Sequence, residues 1–217
     1  MQLNISVPSY LAKLTHARSI SLFYISTDYV FDGTSPPYDI DDTPNPLNFY
    51  GKTKYEGEVV IREANPNAVV LRVPILYGHT EYNAESAVNI LVDVVMDSGK
   101  TVDMDHFAIR YPTNVEDVAR VLRSLSDKKL EQADAISGVF HFSGEEPFTK
   151  YEMCQVLAKI LHVRMDHLRL VDTVPVAAAA SRPRDAHLSN RALREAEIDT
   201  YAVPFEQWWK LKLIGNK

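Results

Sequence analysis

Residues 21–27 read SLFYIST and residues 68–76 read AVVLRVPIL, two β-rich apolar runs separated by one loop and one helix-periodic stretch. Strand, loop, helix, strand is the order of two parallel strands joined by a crossover helix. The first run lacks the polar alternation of a half-exposed strand, which predicts burial on both faces, and the second reads as the next strand. Between them, Asp28 to Leu47 is dense in Asp, Pro, Gly and Thr and reads as loop. Phe49 to Ala64 reads as the helix, and the turn residues Asn65, Pro66 and Asn67 precede the second strand.

Outward from this unit the pattern repeats. Asn4 to Arg18 reads as a helix, with Ser6 as a cap and Pro8 in the first turn, where proline is tolerated. Glu85 to Met96 is a further helix that stops near Gly99. Thr113 and Glu116 stand at capping-box spacing ahead of a helix reaching Leu125, and Thr149 and Glu152 repeat that spacing. The second box precedes an apolar stripe of Met153, Val156, Leu157, Ile160 and Leu161. Gly138 to Ser143 (GVFHFS) and His167 to Asp172 read as strands, and Trp208 and Trp209 sit on a short terminal helix expected to dock on the domain.

This is an α/β chain with a mainly parallel sheet. A doubly wound nucleotide-binding sheet opens with a strand, a glycine-rich turn and a helix that holds a pyrophosphate. The 217 residues contain eight glycines, and no G-x-G-x-x-G occurs among them. The expectation is a partial Rossmann-type parallel sheet lacking its first βαβ half, with a small C-terminal substrate-type lobe. Residues 1–217 form one domain in this reading, with 1–78 and parts of 100–145 as sheet core and the remainder as the lobe. The strand at Ser21 to Thr27 then carries an open edge.

Composition excludes several classes. With 23 basic against 29 acidic side chains, a net charge of −6 and no basic run, nucleic acid is not the expected ligand. Cys154 is the only cysteine, so no intrachain disulfide can form, and its apolar neighbours make it a core residue. Met1 to Lys13 lacks the basic and apolar regions of a signal peptide. No stretch approaches the roughly twenty apolar residues of a membrane span. The expected location is the cytoplasm, with access to the nucleus. The seven histidines show no ligand spacing, and Asp39, Asp41 and Asp42 read as solvated turn residues, so no metal is expected.

One constellation carries chemistry. Ser26 and Thr27 end a strand, where open parallel sheets bind ligands. Tyr50 and Lys54, four residues apart in YGKTK, share one helix face. A nearby ammonium favours the phenolate and draws a tyrosine down from its reference near about 10. A hydroxyl from Thr27 or Ser26 fixes a substrate carbonyl while Tyr50 moves the proton. Arg182 and Arg184, in Arg182-Pro183-Arg184, and Arg110, beside Tyr111-Pro112-Thr113, either meet an anionic substrate or line a cleft.

The runs Ser26-Thr27-Asp28-Tyr29-Val30-Phe31-Asp32-Gly33 and Pro46-Leu47-Asn48-Phe49-Tyr50-Gly51-Lys52-Thr53-Lys54 resemble the dTDP-4-dehydrorhamnose reductase branch of the extended short-chain dehydrogenase/reductase family. Leu71-Arg72-Val73-Pro74-Ile75-Leu76-Tyr77-Gly78, Met104-Asp105-His106 and Thr149-Lys150-Tyr151-Glu152-Met153 are similar to the regulatory beta subunits of methionine adenosyltransferase within that branch. The resemblance runs from Asn4 to the tail. It implies that Thr27, Tyr50 and Lys54 hold catalytic positions and that Asn4 supports the lysine through water. It implies NADP as cofactor, with Ser26, Tyr50, Lys54, Pro74 and Ile75 against it, and weakened or lost binding without the glycine-rich turn. The implied partner is the catalytic subunit of methionine adenosyltransferase, and the implied role is regulation of S-adenosylmethionine synthesis rather than catalysis. The alternatives are an NADP-dependent reductase of a dTDP-4-dehydro-sugar and a truncated isoform with neither activity.

Overall fold

The two apolar runs become neighbouring strands. β1 (Phe23–Thr27) and β2 (Val69–Val73) pair in parallel, from Phe23 opposite Val69 to Thr27 opposite Val73. β6 (Gly138–His141) pairs in parallel on the other side of β2, giving the order β1-β2-β6. β2 is buried at every position, whereas β1, expected to be buried on both faces, is fully buried only at Ser26 and Thr27 and leaves Ile25 exposed. The computed structural model describes residues 2–132, 136–173 and 181–215. These fall into two units.

The first unit, Met1–Pro74 with Val118–Ser143 and Ala179–Thr200, contains this sheet. α1 (Val7–His16) follows directly on wide, π-type turns over Gln2–Ser6. Ser6, expected as a cap, therefore lies inside the helical run with φ −67° and ψ −44° and makes no capping bond. α2 (Phe49–Ala64) has the predicted bounds, and Asn48 caps it, accepting the Gly51 N–H at 2.9 Å.

The second unit, Ile75–Asp117 with Gly144–Ala178 and Tyr201–Lys217, holds two short parallel pairs. These are β3 (Leu76–Tyr77) with β5 (Thr113–Asn114), and β4 (Val102–Asp105) with β7 (Leu168–Val171). α3 (Ile90–Met96), α5 (Lys150–Leu161) and α7 (Phe205–Ile214) pack in this unit. α3 starts later than the sequence pattern predicts. The Ser86 hydroxyl donates to the Leu76 carbonyl and accepts the N–H groups of Val88 and Asn89, holding that backbone outside a helix. Trp208 and Trp209 are buried against Tyr77 and Phe205, as docking required. Cys154 is buried in the same core, which pushes its thiol up to about 12.

The two candidate capping boxes part company. Thr149 and Glu152 form theirs, at 3.2 and 2.7 Å. Thr113 instead sits in β5, donating to the Tyr111 carbonyl and accepting from the Gly144 N–H. Asn114 accepts the Glu116 N–H at 2.9 Å in its place as α4 (Val115–Glu131) begins. The remaining helix is α6 (Arg191–Glu195).

A buried polar chain ties α2 to the sheet. Arg72, in the middle of β2, grips the Glu58 carboxylate through Nε at 3.0 and 3.2 Å and through Nη2 at 2.6 Å. Glu58 is 1% exposed and Arg72 3%. Arg72 Nη1 lies 3.2 Å from His141 Nε2, and His141 Nδ1 lies 3.2 Å from the Tyr38 carbonyl. A carbonyl only accepts, so Nδ1 carries the proton and Nε2 accepts from Arg72. Burial, then the Arg72 charge, lowers His141 from 6.5 to about 3.

Arg72→Ala leaves a buried carboxylate without a counter-charge, and a loss of about 3–5 kcal/mol in urea unfolding is expected. His141 sets the pH response. Between 6.5 and about 3 the unfolded chain binds a proton at His141 that the folded chain refuses, so stability falls on acidification through that window. The urea midpoint followed from pH 7 downward checks this, and His141→Asn should flatten that part of the slope.

Candidate functional site

Ser26 and Thr27 end β1 and Tyr50 and Lys54 lie in the first turns of α2, all within the first unit. The geometry starts with backbone contact. A Cβ on Gly51 would collide with the Tyr29 carbonyl, so only glycine lets the first turn of α2 approach the turn after β1. That turn spans Asp28–Val30 and is capped by Thr27, whose hydroxyl accepts the Tyr29 N–H at 3.3 Å and donates to Asp28 Oδ1 at 3.0 Å. The Tyr29 and Tyr50 rings meet edge to face at 6.2 Å.

Tyr50 is 50% exposed. Partial burial raises its pKa above 10.0; the Thr27 hydroxyl opposes this and the Asp28 charge adds to it. The expected depression by Lys54 is absent, and the reason is geometric. Lys54 Nζ donates to the Ile25 carbonyl at 2.6 Å and lies 4.0 Å from the Tyr24 ring centroid. The Leu22 carbonyl accepts from Val69 N, and alternate residues of a parallel strand face alternate sides. The Ile25 carbonyl therefore points away from β2, and the lysine occupies it. Burial lowers the Lys54 pKa and Glu58 opposes that.

Asn4 makes direct contacts. Its side-chain amide donates to Thr53 Oγ1 at 3.0 Å, and that hydroxyl donates to the Tyr50 carbonyl at 3.0 Å. Asn4 thus braces the backbone between Tyr50 and Lys54, while its own carbonyl closes on Gly57 and the Tyr24 hydroxyl. Ser26 is buried, and its hydroxyl has no hydrogen-bond partner among the described residues. Pro74 is buried at the end of β2 and closes the first unit; Ile75 opens the second, its carbonyl accepting the Thr113 N–H.

Arg182 and Arg184 are exposed on either side of the buried Pro183, against which Gly33 packs at φ +80°. The segment is tied to the start of α2 by Asn48, whose amide donates to the Ser181 carbonyl at 2.9 Å. Arg110 belongs to the second unit, where its buried guanidinium is committed to Asp105 at 2.6 Å and the Ala108 carbonyl at 2.7 Å. Asp39 and Asp41 converge on Arg191 at 2.5 and 3.3 Å. Among the described residues, no group of three His, Cys, Asp or Glu side chains comes together to hold a metal.

Motif spacing left out Tyr24, Glu58, Arg72 and His141. Their signal was a charged or polar residue inside an apolar run, since a buried charge must be paired.

In sequence, the RmlD substrate binding domain model matches residues 1–210. The chain is 50% identical over 187 residues to methionine adenosyltransferase 2 subunit beta of Bos taurus, covering 86% of this chain and 55% of that one. It thus spans about half the length of the curated relatives it matches. It is 31% identical over 136 residues to dTDP-4-dehydrorhamnose reductase of Sinorhizobium fredii, covering 62% of this chain and 45% of that one. In fold it is similar to dTDP-4-dehydrorhamnose reductase of Bacillus anthracis, solved in complex with NADP. The TM-score is 0.81 at 24% identity, over 98% of this chain and 72% of that one.

The Gly51 contact gives a signed prediction. In an ordinary helix, Gly→Ala stabilises by about 0.5–1 kcal/mol. Gly51→Ala should instead destabilise by about 1–3 kcal/mol, because α2 must move off the Tyr29 carbonyl. Urea denaturation distinguishes the two signs.

Proposed function

We propose that this chain, which belongs to the RmlD substrate binding domain family, acts as a regulatory beta-type subunit. It would bind the catalytic subunit of methionine adenosyltransferase and modulate S-adenosylmethionine synthesis. The observation that carries this reading is the 50% identity over 187 residues to a protein named as that subunit. The geometry is compatible with it, because Asn4, Thr53 and Gly51 brace the helix turn that carries Tyr50 as part of the fold.

NADP is the cofactor this reading implies, and the first unit fits its nicotinamide-ribose end. Ser26 offers a buried hydroxyl with no partner among the described residues, at the C-terminal end of β1 next to Thr27 in sequence. Tyr50 and Lys54 would hold the ribose hydroxyls, with Ser26 and Thr27 on the strand side. Bound NADPH supplies a hydride. Tyr50, its pKa raised by burial, is protonated at neutral pH and can donate a proton to a carbonyl oxygen.

Size-exclusion chromatography of the chain with a methionine adenosyltransferase catalytic subunit, with and without NADP, tests the regulatory reading. Co-elution is expected and should survive Tyr50→Phe, since half of that residue faces solvent. A soluble chain that elutes alone in both conditions overturns it.

The half-exposed Tyr50 phenol, with the 31% identity to a protein named dTDP-4-dehydrorhamnose reductase, favours one second reading, reduction of a dTDP-4-dehydro-sugar with NADPH. It requires NADPH oxidation that Tyr50→Phe cuts by roughly 10²–10⁴-fold. Turnover equal in wild type and variant rules it out.

A further inference from the structure

β1 is an edge strand: among the described residues it pairs on one side only, with β2. Leu22, Tyr24 and Ser26 turn their backbone groups toward β2, because the Leu22 carbonyl accepts the Val69 N–H and alternate residues face the same way. Phe23, Ile25 and Thr27 turn theirs outward. Ser26 and Thr27 are buried, so the accessible part of this edge runs from the half-buried Phe23 to the exposed Ile25. A bare apolar edge is a template for another strand.

One side chain stands on it. Lys54 reaches from α2 over the Tyr24 ring, 4.0 Å from its centroid, and donates to the outward Ile25 carbonyl at 2.6 Å. An ammonium is thereby fixed on the most exposed residue of the strand.

We propose that Lys54 guards this edge: its ammonium keeps β1 from pairing antiparallel with β1 of a second copy. A second copy is the fitting strand because the accessible edge is self-complementary. In an antiparallel ladder, the residues that exchange hydrogen bonds alternate along each strand. A two-fold axis through Tyr24 sets Phe23 of one copy opposite Ile25 of the other, and Ile25 opposite Phe23. Both outward residues of both strands are then paired at once, and the assembly closes as a dimer. In that ladder the Phe23 N–H of the second copy needs the Ile25 carbonyl that Lys54 occupies. Pairing would also bring together two ammonium groups, one from each copy, and like charges across neighbouring strands are destabilising. Edge strands are commonly protected by their own lysines; here the lysine comes from the neighbouring helix.

Edge guarding needs neither NADP nor a partner subunit. An ammonium carries three donors, so the bond to Ile25 leaves others for the ribose hydroxyls proposed above.

The test is analytical ultracentrifugation of the full chain together with amide hydrogen exchange read by NMR. In wild type, exchange at the Phe23 and Ile25 amides should not depend on protein concentration. Lys54→Met keeps an unbranched stem over Tyr24 and removes the ammonium. It should form a dimer at least about tenfold more tightly than wild type, with the Phe23 and Ile25 amides protected as concentration rises. Adding Ile25→Pro to Lys54→Met removes an outward N–H, where an edge strand tolerates proline, and should restore the monomer. Lys54→Met that associates no more than wild type overturns the proposal. So does a dimer that forms without protection at those amides or survives Ile25→Pro, and so does a series of larger species, since each places the contact elsewhere. Concentration-dependent protection of Phe23 and Ile25 in wild type overturns it as well, and that arm does not depend on any variant folding.

Discussion

The arrangement of the first unit depends on the ion pair between Glu58 and Arg72. A carboxylate on a helix and a guanidinium on the central strand both lie almost out of water, joined by three short contacts. Such a pair contributes little net stability, because desolvation offsets its attraction. Its value is directional. A planar guanidinium meeting a carboxylate through two nitrogens admits one approach, which fixes the rotation and height of α2 over β2. Lys54 and Tyr50 stand about 6 and 12 Å back along the helix axis, so their placement follows from this clamp.

From Arg72 the constraint passes outward through His141 to the Tyr38 carbonyl. That carbonyl also accepts the Ser189 N–H, and the Tyr38 N–H donates to the His187 carbonyl, both at 2.7 Å. The long loop after β1 and the segment following Arg184 are thereby joined to the sheet at one residue. Asp32 gathers the same loop, accepting from the Tyr38 and Thr34 hydroxyls and the Asn45 amide. These bonds hold its carboxyl well below the usual carboxylate range. The rigidity matters because the Tyr29 carbonyl in this loop is the surface on which Gly51 seats α2.

The strands and α2 were legible in the sequence because apolar runs and helical periodicity report local burial directly. The four-residue spacing of Tyr50 and Lys54 likewise gave a shared face. It did not give the acceptor that Lys54 takes, since the direction of the Ile25 carbonyl follows from the pairing of β1 with β2, a tertiary fact. Two equal capping spacings had unequal outcomes for the same reason: Thr113 is drawn into β5, whereas Thr149 precedes a helix with no competing strand. Ser6 was misread because wide turns extend the helix ahead of Pro8, a feature with no simple residue signature. Arg72 and His141 each interrupt an apolar run, and a buried charge without a partner is costly enough that each interruption could have been read as half of a pair.

The site residues carry unequal structural demands, and this bears on function. Asn4 and Thr53 brace the helix turn, Gly51 seats it on Tyr29, and Lys54 fills an otherwise open carbonyl of β1. Each of these has a folding role whether or not any carbonyl is ever reduced. The Tyr50 hydroxyl is different. It is attached to a half-exposed ring that α2 and the Tyr29 ring already place. A motif of this kind can persist in a protein that only binds, because most of its members are required by the packing of α2 on β1. The presence of Y-x-x-x-K therefore discriminates poorly between a regulatory subunit and a reductase. The phenolic oxygen of Tyr50 is the one atom of the set whose retention the fold does not demand, and the choice between the two functions turns on it.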